Sequence, residues 1–322
     1  MNELVSVIKN ISNDIVICGH KNADYDSMCS SLALAKILKK LNKNVKVYIE
    51  PNSVHKVDYF KCSDLLCDYI EFNDYTFIAL DMNNILRLPE GIEKYYNNAS
   101  LKINIDHHNG NTTNADYILS NPNKSSTCEM IYDLIKLLEI DLDKDISELL
   151  FTGIVSDTNL FSTGVSDKTF LAVSNLMSKR INNEFIVKKF YLEKTKEELE
   201  IISYIINNLI DDKFYYAVLD MNKEPFNKVS YSDISKKCIP SILDCENIDI
   251  LMIIMNYGEK IKGEIRSKSN VDVSLLAKLL TGGGHTHAAG FSNKKSINEI
   301  IDISNNYLDS IKYEKPNILL KK

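Results

Sequence analysis

The chain has 322 residues, with 38 Lys plus Arg against 44 Asp plus Glu and a formal net charge of −6. At roughly 150 residues per domain this length predicts two domains. With 44% hydrophobic and 25% charged residues, the chain is too apolar to be disordered and too acidic to coat a long nucleic-acid duplex, which rests on many Lys/Arg–phosphate contacts. The longest apolar run, Ile248–Met255 broken by Asp249, is too short to span a bilayer, so no membrane partner is expected. The start MNELVSVIKN lacks the basic and apolar regions of a leader. Seven cysteines without any Cys-x-x-Cys pair read as reduced thiols, and together these features predict a cytoplasmic protein.

In chain order, short apolar runs alternate with helical patterns. Ile15–Cys18 reads as a strand, 30–41 as a helix with Leu34, Leu38 and Leu41 on one stripe, and Val45–Ile49 and Thr76–Leu80 as strands. Leu101–Ile105 alternates like a strand, and 126–138 reads as a helix capped by Ser or Thr. Leu149–Val155 reads as a strand or as the end of a helix. This alternation predicts an α/β fold whose N-terminal sheet is mostly parallel and flanked by helices. The stretch 191–212 reads as a helical linker, with Leu199, Ile202, Ile206 and Leu209 on one face. A smaller C-terminal α/β domain with a mixed sheet is expected over 213–322. Its strands fall at 214–219, 249–255 and 260–267, the last two joined as a hairpin through Asn256-Tyr-Gly258. Helices follow at 273–280 and 297–311, and 313–322 reads as a frayed tail.

Four apolar runs of the first 190 residues end in Asp or His. Ile15-Val-Ile-Cys-Gly-His20 leads to Asp24 and Asp26, and Phe77-Ile-Ala-Leu80 ends in Asp81. Ile103-Asn-Ile105 ends in Asp106-His107-His108, and Phe151-Thr-Gly-Ile-Val-Ser156 ends in Asp157. In an open parallel sheet the carboxyl ends of the strands share one edge, where such folds place their ligands. Carboxylates crowded there repel and take up protons unless a cation neutralises them. Oxygen and imidazole donors suit Mn²⁺, Mg²⁺, Fe²⁺ or Zn²⁺, and their number fits two ions sharing a carboxylate better than one. Taken singly, an Asp after a strand is most often a turn or helix cap. It is the succession of all four that carries the metal reading.

His20-Lys-Asn-Ala-Asp24-Tyr-Asp26-Ser, Asp81, Asp106-His107-His108 and Gly153-Ile-Val-Ser-Asp157-Thr resemble the four motifs of the DHH phosphoesterases. Arg266-Ser-Lys, Asp272-Val-Ser and Gly282-Gly-Gly-His285-Thr-His-Ala-Ala-Gly290-Phe resemble the domain associated with that family. Two positions depart from the pattern: Ala23 stands where Pro is usual, and Thr281 where a fourth Gly is common. The resemblance, closest to the oligoribonuclease and pAp-phosphatase branch, implies a catalytic domain over 1–190 that hydrolyses phosphate esters with two divalent ions, Mn²⁺ first among them. It implies that His20 and Asp24 hold one ion, that Asp26, His107 and Asp157 hold the other, and that Asp81 bridges them. Asp106 would orient a ligand imidazole, and His108 would face the scissile phosphate.

Three successive glycines allow backbone N–H groups close to an anion, so Gly282, Gly283, Gly284 and His285, with Arg266 on a nearby strand, read as a clamp for a second phosphate or a nucleotide end. The expected substrate is a short single-stranded RNA, a linear dinucleotide of the pApA type or a 3′,5′-bisphosphate nucleotide. A cyclic dinucleotide, pyrophosphate or polyphosphate are alternative substrates, and a non-catalytic nucleotide-binding protein is the alternative from another class. A homodimer is compatible with this reading.

Overall fold

The computed structural model describes residues 2–315, and the chain divides into two units after Tyr191. The first unit runs α1 (Asn2–Asn10), β1 (Asp14–Cys18), α2 (Tyr25–Lys40), β2 (Val45–Tyr48), β3 (Leu66–Cys67), β4 (Tyr75–Leu80), α3 (Glu93–Asn98), β5 (Leu101–Asp106), β6 (Tyr117–Ser120), α4 (Thr127–Leu138), α5 (Lys144–Asp157), α6 (Asp167–Met177) and α7 (Asn183–Val187). Its six strands form one sheet in the order β3-β2-β1-β4-β5-β6, every neighbouring pair parallel.

Apolar residues on both faces explain why this sheet is covered on both sides. Ile15 and Ile17 of β1 and Ile78 and Leu80 of β4 join one core, built with α2, α4 and α5. Val16, Cys18, Phe77 and Ala79 join a second core on the opposite face, closed by Tyr96 and Ile92. The strand order reverses between β1 and β4, and at such a switch point the flanking loops diverge and leave a crevice at the carboxyl ends.

The helix 25–40 begins five residues before the predicted start, because the Asp24 side chain caps it by accepting from the Ser27 N–H at 3.1 Å. The run 149–155 is helix, not strand: it lies within α5, which the Asp143 side chain caps. Every residue from Ile146 to Ser156 is buried, so the helix carries no polar stripe and imitates the continuous apolar run of a buried strand. The strand that completes the sheet is Tyr117–Ser120, whose four residues alternate between half-buried and exposed.

The second unit runs α8 (Lys196–Asn207), β7 (Ile210–Asp211), β8 (Tyr215–Asp220), α9 (Tyr231–Asp233), α10 (Ile239–Leu243), β9 (Ile250–Asn256), β10 (Ile261–Ser267), α11 (Val273–Leu279), β11 (Gly282–His285), β12 (Ala288–Asn293) and α12 (Ile297–Ser310). Its sheet has the order β11-β12-β10-β9-β8-β7 and is mixed, β8 and β9 being parallel and the other pairs antiparallel. The 250–267 hairpin turns where the Asn256 side chain accepts from the Gly258 N–H at 2.8 Å.

The face assigned to helix 196–207 holds for Ile202 and Leu209, which are half-buried against the core of the second unit, and is corrected for the rest. Ile201 and Ile205 are buried against Ala217, Leu219 and Ile253, whereas Leu199 and Ile206 are exposed. The helix therefore packs into the core of the second unit. Tyr313, at the start of the expected tail, packs on that unit's other core and donates to Asp249 Oδ2 at 2.9 Å; residues 316–322 lie outside the described residues. Among the described residues no helix is long and apolar enough to cross a membrane. The seven cysteines are free, although Cys67 is half-buried and Cys245 exposed.

Candidate active site

The two central strands, β1 and β4, deliver the first groups. After β1 the chain turns through Gly19, where a Cβ would meet Ser27 Oγ at 2.1 Å. That hydroxyl accepts from the His20 N–H at 3.1 Å, fixing the residue that follows the strand. Asp81 follows β4 in the left-handed region, at φ 59°, a backbone conformation that Asp tolerates better than most residues. The Asp81 N–H still donates to the Ile105 carbonyl at 3.0 Å, so the turn is anchored while the carboxylate swings back over the sheet edge.

The carboxylate of Asp81 has a different histidine on each oxygen. Oδ2 lies 3.5 Å from His20 Nε2, and Oδ1 lies 3.6 Å from His107 Nε2. His20 Nε2 is 3.9 Å from Asp24 Oδ1, and His107 Nε2 is 3.1 Å from Asp157 Oδ2. Two donor sets thus form, His20–Asp24–Asp81 and Asp26–His107–Asp157, each with ligand atoms within 4.8 Å of one another. A third such set is Asp81–His107–His108. Asp157 arrives from the C-terminal end of α5 and not from a strand.

Asp24 and Asp26 are both ligand candidates and helix caps. Asp24 caps α2. Asp26, fully buried, accepts from the N–H groups of Thr127 and Cys128 at 2.7 and 2.9 Å, the first turn of α4. Gly153 on α5 makes room for this: a Cβ there would lie 2.2 Å from Cys128 Sγ and 2.8 Å from Asp26 Oδ1.

The electrostatics follow from crowding in a buried place. Burial, with the charges of Asp81 and Asp157 added, pushes the Asp26 carboxyl well above its ordinary value. Burial pushes Asp81 up to about 7, His108 pulling it down while Asp24 and Asp157 push further up. His107 is pushed down by burial, but its bond to Asp157 and the charges of Asp81 and Asp26 hold it well above the usual imidazole range. Burial and the nearby Arg87 charge lower His20. Such a set fits a divalent cation: oxygen and imidazole donors converge, and the cation removes the repulsion that otherwise forces protons onto the carboxylates.

The imidazole that Asp106 faces is that of His108 and not that of His107: Nδ1 of His108 lies 2.7 Å from Asp106 Oδ1, whereas the Nδ1 of His107 faces the Lys124 carbonyl at 3.3 Å. Asp106 is fully buried. Burial raises its pKa, yet the bonds and charge from His108 outweigh that and hold it below the ordinary value. An ionised Asp106 puts the proton on Nδ1 of His108.

In the second unit the glycine run forms a strand. β11 pairs with β12 along Gly282–Phe291, Gly283–Gly290, Gly284–Ala289 and His285–Ala288. A Cβ on Gly282 would sit 2.0 Å from the Gly290 carbonyl oxygen, and one on Gly284 2.5 Å from that of Ala288, so these two glycines serve strand contact. Gly283 has nothing within 4 Å of its Cβ position. Register places Arg266, Ala288 and His285 in one row across three strands, with Glu264, Gly290 and Gly283 in the next row on the same face.

Arg266 is already engaged. It donates to Glu264 Oε2 at 2.5 Å and to Ser235 Oγ at 2.9 Å, while the Tyr231 hydroxyl bonds the other Glu264 oxygen. Lys262 lies over the rings of Tyr231 and Tyr257, at 4.8 and 5.7 Å from their centroids. Glu264, Tyr231 and Ser235 were not found from sequence. The alternation Lys262-x-Glu264-x-Arg266 carried the signal for Glu264; nothing local linked Tyr231 or Ser235 to it. Thr127, which donates to Asp81 Oδ1 at 3.0 Å, was also missed.

Residues 14–154 match the model of the DHH family N-terminal domain, and residues 211–310 match the DHHA1 domain. The chain belongs to the DHH family. It is a hydrolase acting on phosphoric ester bonds. It is 24% identical over 300 residues, 91% of this chain and 88% of the other, to the bifunctional oligoribonuclease and PAP phosphatase NrnA of Thermus thermophilus. An exopolyphosphatase-related protein from Bacteroides fragilis has the same fold at a TM-score of 0.83 and 23% identity, covering 97% of this chain and 96% of that one. RecJ of Thermus thermophilus, solved in complex with Mn²⁺, superposes at a TM-score of 0.58 and 14% identity, over 98% of this chain and 55% of that one.

Proposed function

We propose that this DHH-family chain is a divalent-metal-dependent phosphodiesterase and phosphatase of short nucleotides. It hydrolyses oligoribonucleotides of a few residues, linear dinucleotides of the pApA type and 3′,5′-bisphosphate nucleotides, in the cytoplasm. The observation that carries this reading is the Asp81 carboxylate, with His20 on one oxygen and His107 on the other and a separate donor set on each side. Mn²⁺ is the metal we expect in both sets, with His20 and Asp24 in one, Asp26, His107 and Asp157 in the other, and Asp81 shared. When bound, such ions would lower the pKa of a coordinated water and neutralise charge on the phosphate oxygens.

The chain's own residues do the rest. Asp106 holds His108 through its Nδ1–H, so that Nε2, when it too carries a proton, donates to a phosphate oxygen or to the leaving oxygen. In the second unit, the row of Arg266 and His285 supplies donors for a second phosphate or a nucleotide end, and the open space at Gly283 leaves room for it. We assign hydrolysis to residues 1–190 and recognition to 213–322.

A turnover panel tests the reading. With Mn²⁺, dinucleotides and 3′,5′-bisphosphate nucleotides should be hydrolysed faster than long RNA, pyrophosphate or cyclic dinucleotides. Replacing Asp106-His107-His108 together by alanines should abolish that turnover, and unchanged activity of the pure variant would refute the assignment.

A further inference from the structure

One short segment of the first unit touches three of the proposed ligands at once. The N–H groups of Thr127 and Cys128 donate to the two oxygens of Asp26, and the Thr127 hydroxyl donates to Asp81 Oδ1 at 3.0 Å. Three residues earlier, the Lys124 carbonyl faces His107 Nδ1 at 3.3 Å. Thr127 itself is fully buried.

The segment is held from behind by a buried acid. Glu129 accepts from the Ser125 N–H and hydroxyl at 3.1 and 2.6 Å, from Lys124 Nζ at 2.8 Å and from the Thr169 hydroxyl of α6 at 2.9 Å. The turn that carries Thr127 is therefore fixed both by its helix and by this network, and its hydroxyl is held at a set height over the site.

We propose that Thr127 is a positioning residue of the metal centre, acting on the shared carboxylate through its hydroxyl. This rests on the two-ion reading given above. A carboxylate that serves two ions must present its oxygens to opposite sides, and the last torsion of an Asp side chain is broad, without a strongly preferred well. Three histidines flank Asp81: His20 and His107 through Nε2, the atoms that would themselves coordinate, and His108 through an Nδ1 that lies 3.7 Å from Oδ1 and is already bonded to Asp106. The Thr127 hydroxyl approaches Oδ1 from the first turn of α4 instead. Hydrogen bonds of this kind to ligating groups commonly set metal affinity.

The experiment is calorimetric titration of Mn²⁺ into chelator-treated full-length protein, wild type beside Thr127→Val and Thr127→Ser, with the metal-free melting midpoint recorded for each. Val keeps the shape and loses the donor, and Ser keeps the donor. Thr127→Val should weaken Mn²⁺ binding roughly ten- to a hundredfold, and Thr127→Ser should stay within about threefold of wild type. The metal-free midpoints should differ little, which separates positioning from a general structural role. If Thr127→Val does not fold, Thr127→Ala carries the same expectation. A variant without the hydroxyl that binds as tightly as wild type, or a Ser variant that loses as much as Val, overturns the proposal alone. A wild-type protein that binds no Mn²⁺ overturns the two-ion reading and this proposal with it.

Discussion

The two units handle buried charge in opposite ways. In the first, Asp26 and Asp81 stand fully buried beside Asp24 and Asp157, and both carboxyls are pushed upward in pKa. Those two carboxylates carry a cost that a cation would remove. In the second, Glu264 lies against Arg266 at 2.5 Å and takes the Tyr231 hydroxyl on its other oxygen. Its charge is balanced inside the chain. A group of like charges left uncompensated in a buried place is a site built for something that arrives. A compensated pair is preorganised, and its contribution to binding depends on how much of the Arg266 charge remains for a ligand.

The largest effect should come from removing the carboxylate that both donor sets share. Asp81→Asn should lower kcat/KM for a dinucleotide with Mn²⁺ by roughly a thousandfold, the loss of several kcal/mol of charge stabilisation. The same substitution should not lower the melting midpoint of the chelated protein, because it removes a repelling charge. A chelated variant that melts well below wild type would break the contrast between the units, since Asp81 would then be stabilising the fold without metal.

The pH dependence of the chelated protein sharpens the same contrast. Asp81 titrates near 3.8 when unfolded and at about 7 when folded, and Asp26 shifts upward still more clearly. The folded state then binds more protons than the unfolded state between those values, so stability falls as pH rises through them. His107, raised by Asp157, contributes stability below its ordinary value of 6.5 that is lost as pH rises through the folded value. His20 is lowered, so its contribution is already complete above 6.5. From pH 6.5 to 8 all these trends either point down or are flat. The midpoint of chelated protein should fall over that range in a thermal melt. Mn²⁺ should reverse the fall, with its affinity rising with pH as protons are displaced.

Much of this site was legible because its residues follow the ends of apolar runs. His20 and Asp81 stand just past β1 and β4, and Asp106 to His108 at the end of β5, and a parallel sheet gathers such positions at one edge. Asp157 was found for a partly wrong reason: it ends a helix, but a helix buried on all sides reads like a strand. The partner of Asp106 was not legible, since neighbouring histidines in sequence give no sign of which ring turns back. Nor was Thr127, which is 46 residues from the carboxylate it bonds. In the second unit the glycines announced a special backbone, but only the register shows that Gly282 and Gly284 serve strand packing while Gly283 is open. The face of helix 196–207 was partly misread because Ile201, Ile202, Ile205 and Ile206 offer two overlapping stripes, and only the tertiary partner selects between them.

Glycines offer a third, smaller comparison. Gly153→Ala would put a methyl 2.2 Å from Cys128 Sγ and 2.8 Å from Asp26 Oδ1, between two helices that cannot both retreat. Overpacking of this kind should cost roughly 1–3 kcal/mol in denaturant unfolding and weaken Mn²⁺ binding through Asp26. Gly283→Ala meets nothing within 4 Å and should leave unfolding unchanged, so that any rise in KM it causes reports on substrate approach. Equal losses of stability in the two variants would contradict the distinction between a packed glycine and an open one.

The smallest effect tests whether the proposed clamp at Arg266 is charge-limited. Glu264→Gln keeps an acceptor for Arg266 and a polar group for Tyr231, but removes the negative charge. If the internal pair holds back part of the Arg266 charge, the variant should bind a phosphate-bearing dinucleotide more tightly. KM should then fall about two- to fivefold, the scale of one partly exposed ion pair. The dependence of KM on salt should steepen, because an unpaired guanidinium is more exposed to screening. Arg266→Ala should raise KM under the same conditions. A Glu264→Gln variant whose KM rises instead would mean that the carboxylate acts chiefly by holding the guanidinium in place, since orientation would then outweigh charge. The second unit would in that case be preorganised by geometry, leaving charge as the working principle of the first alone.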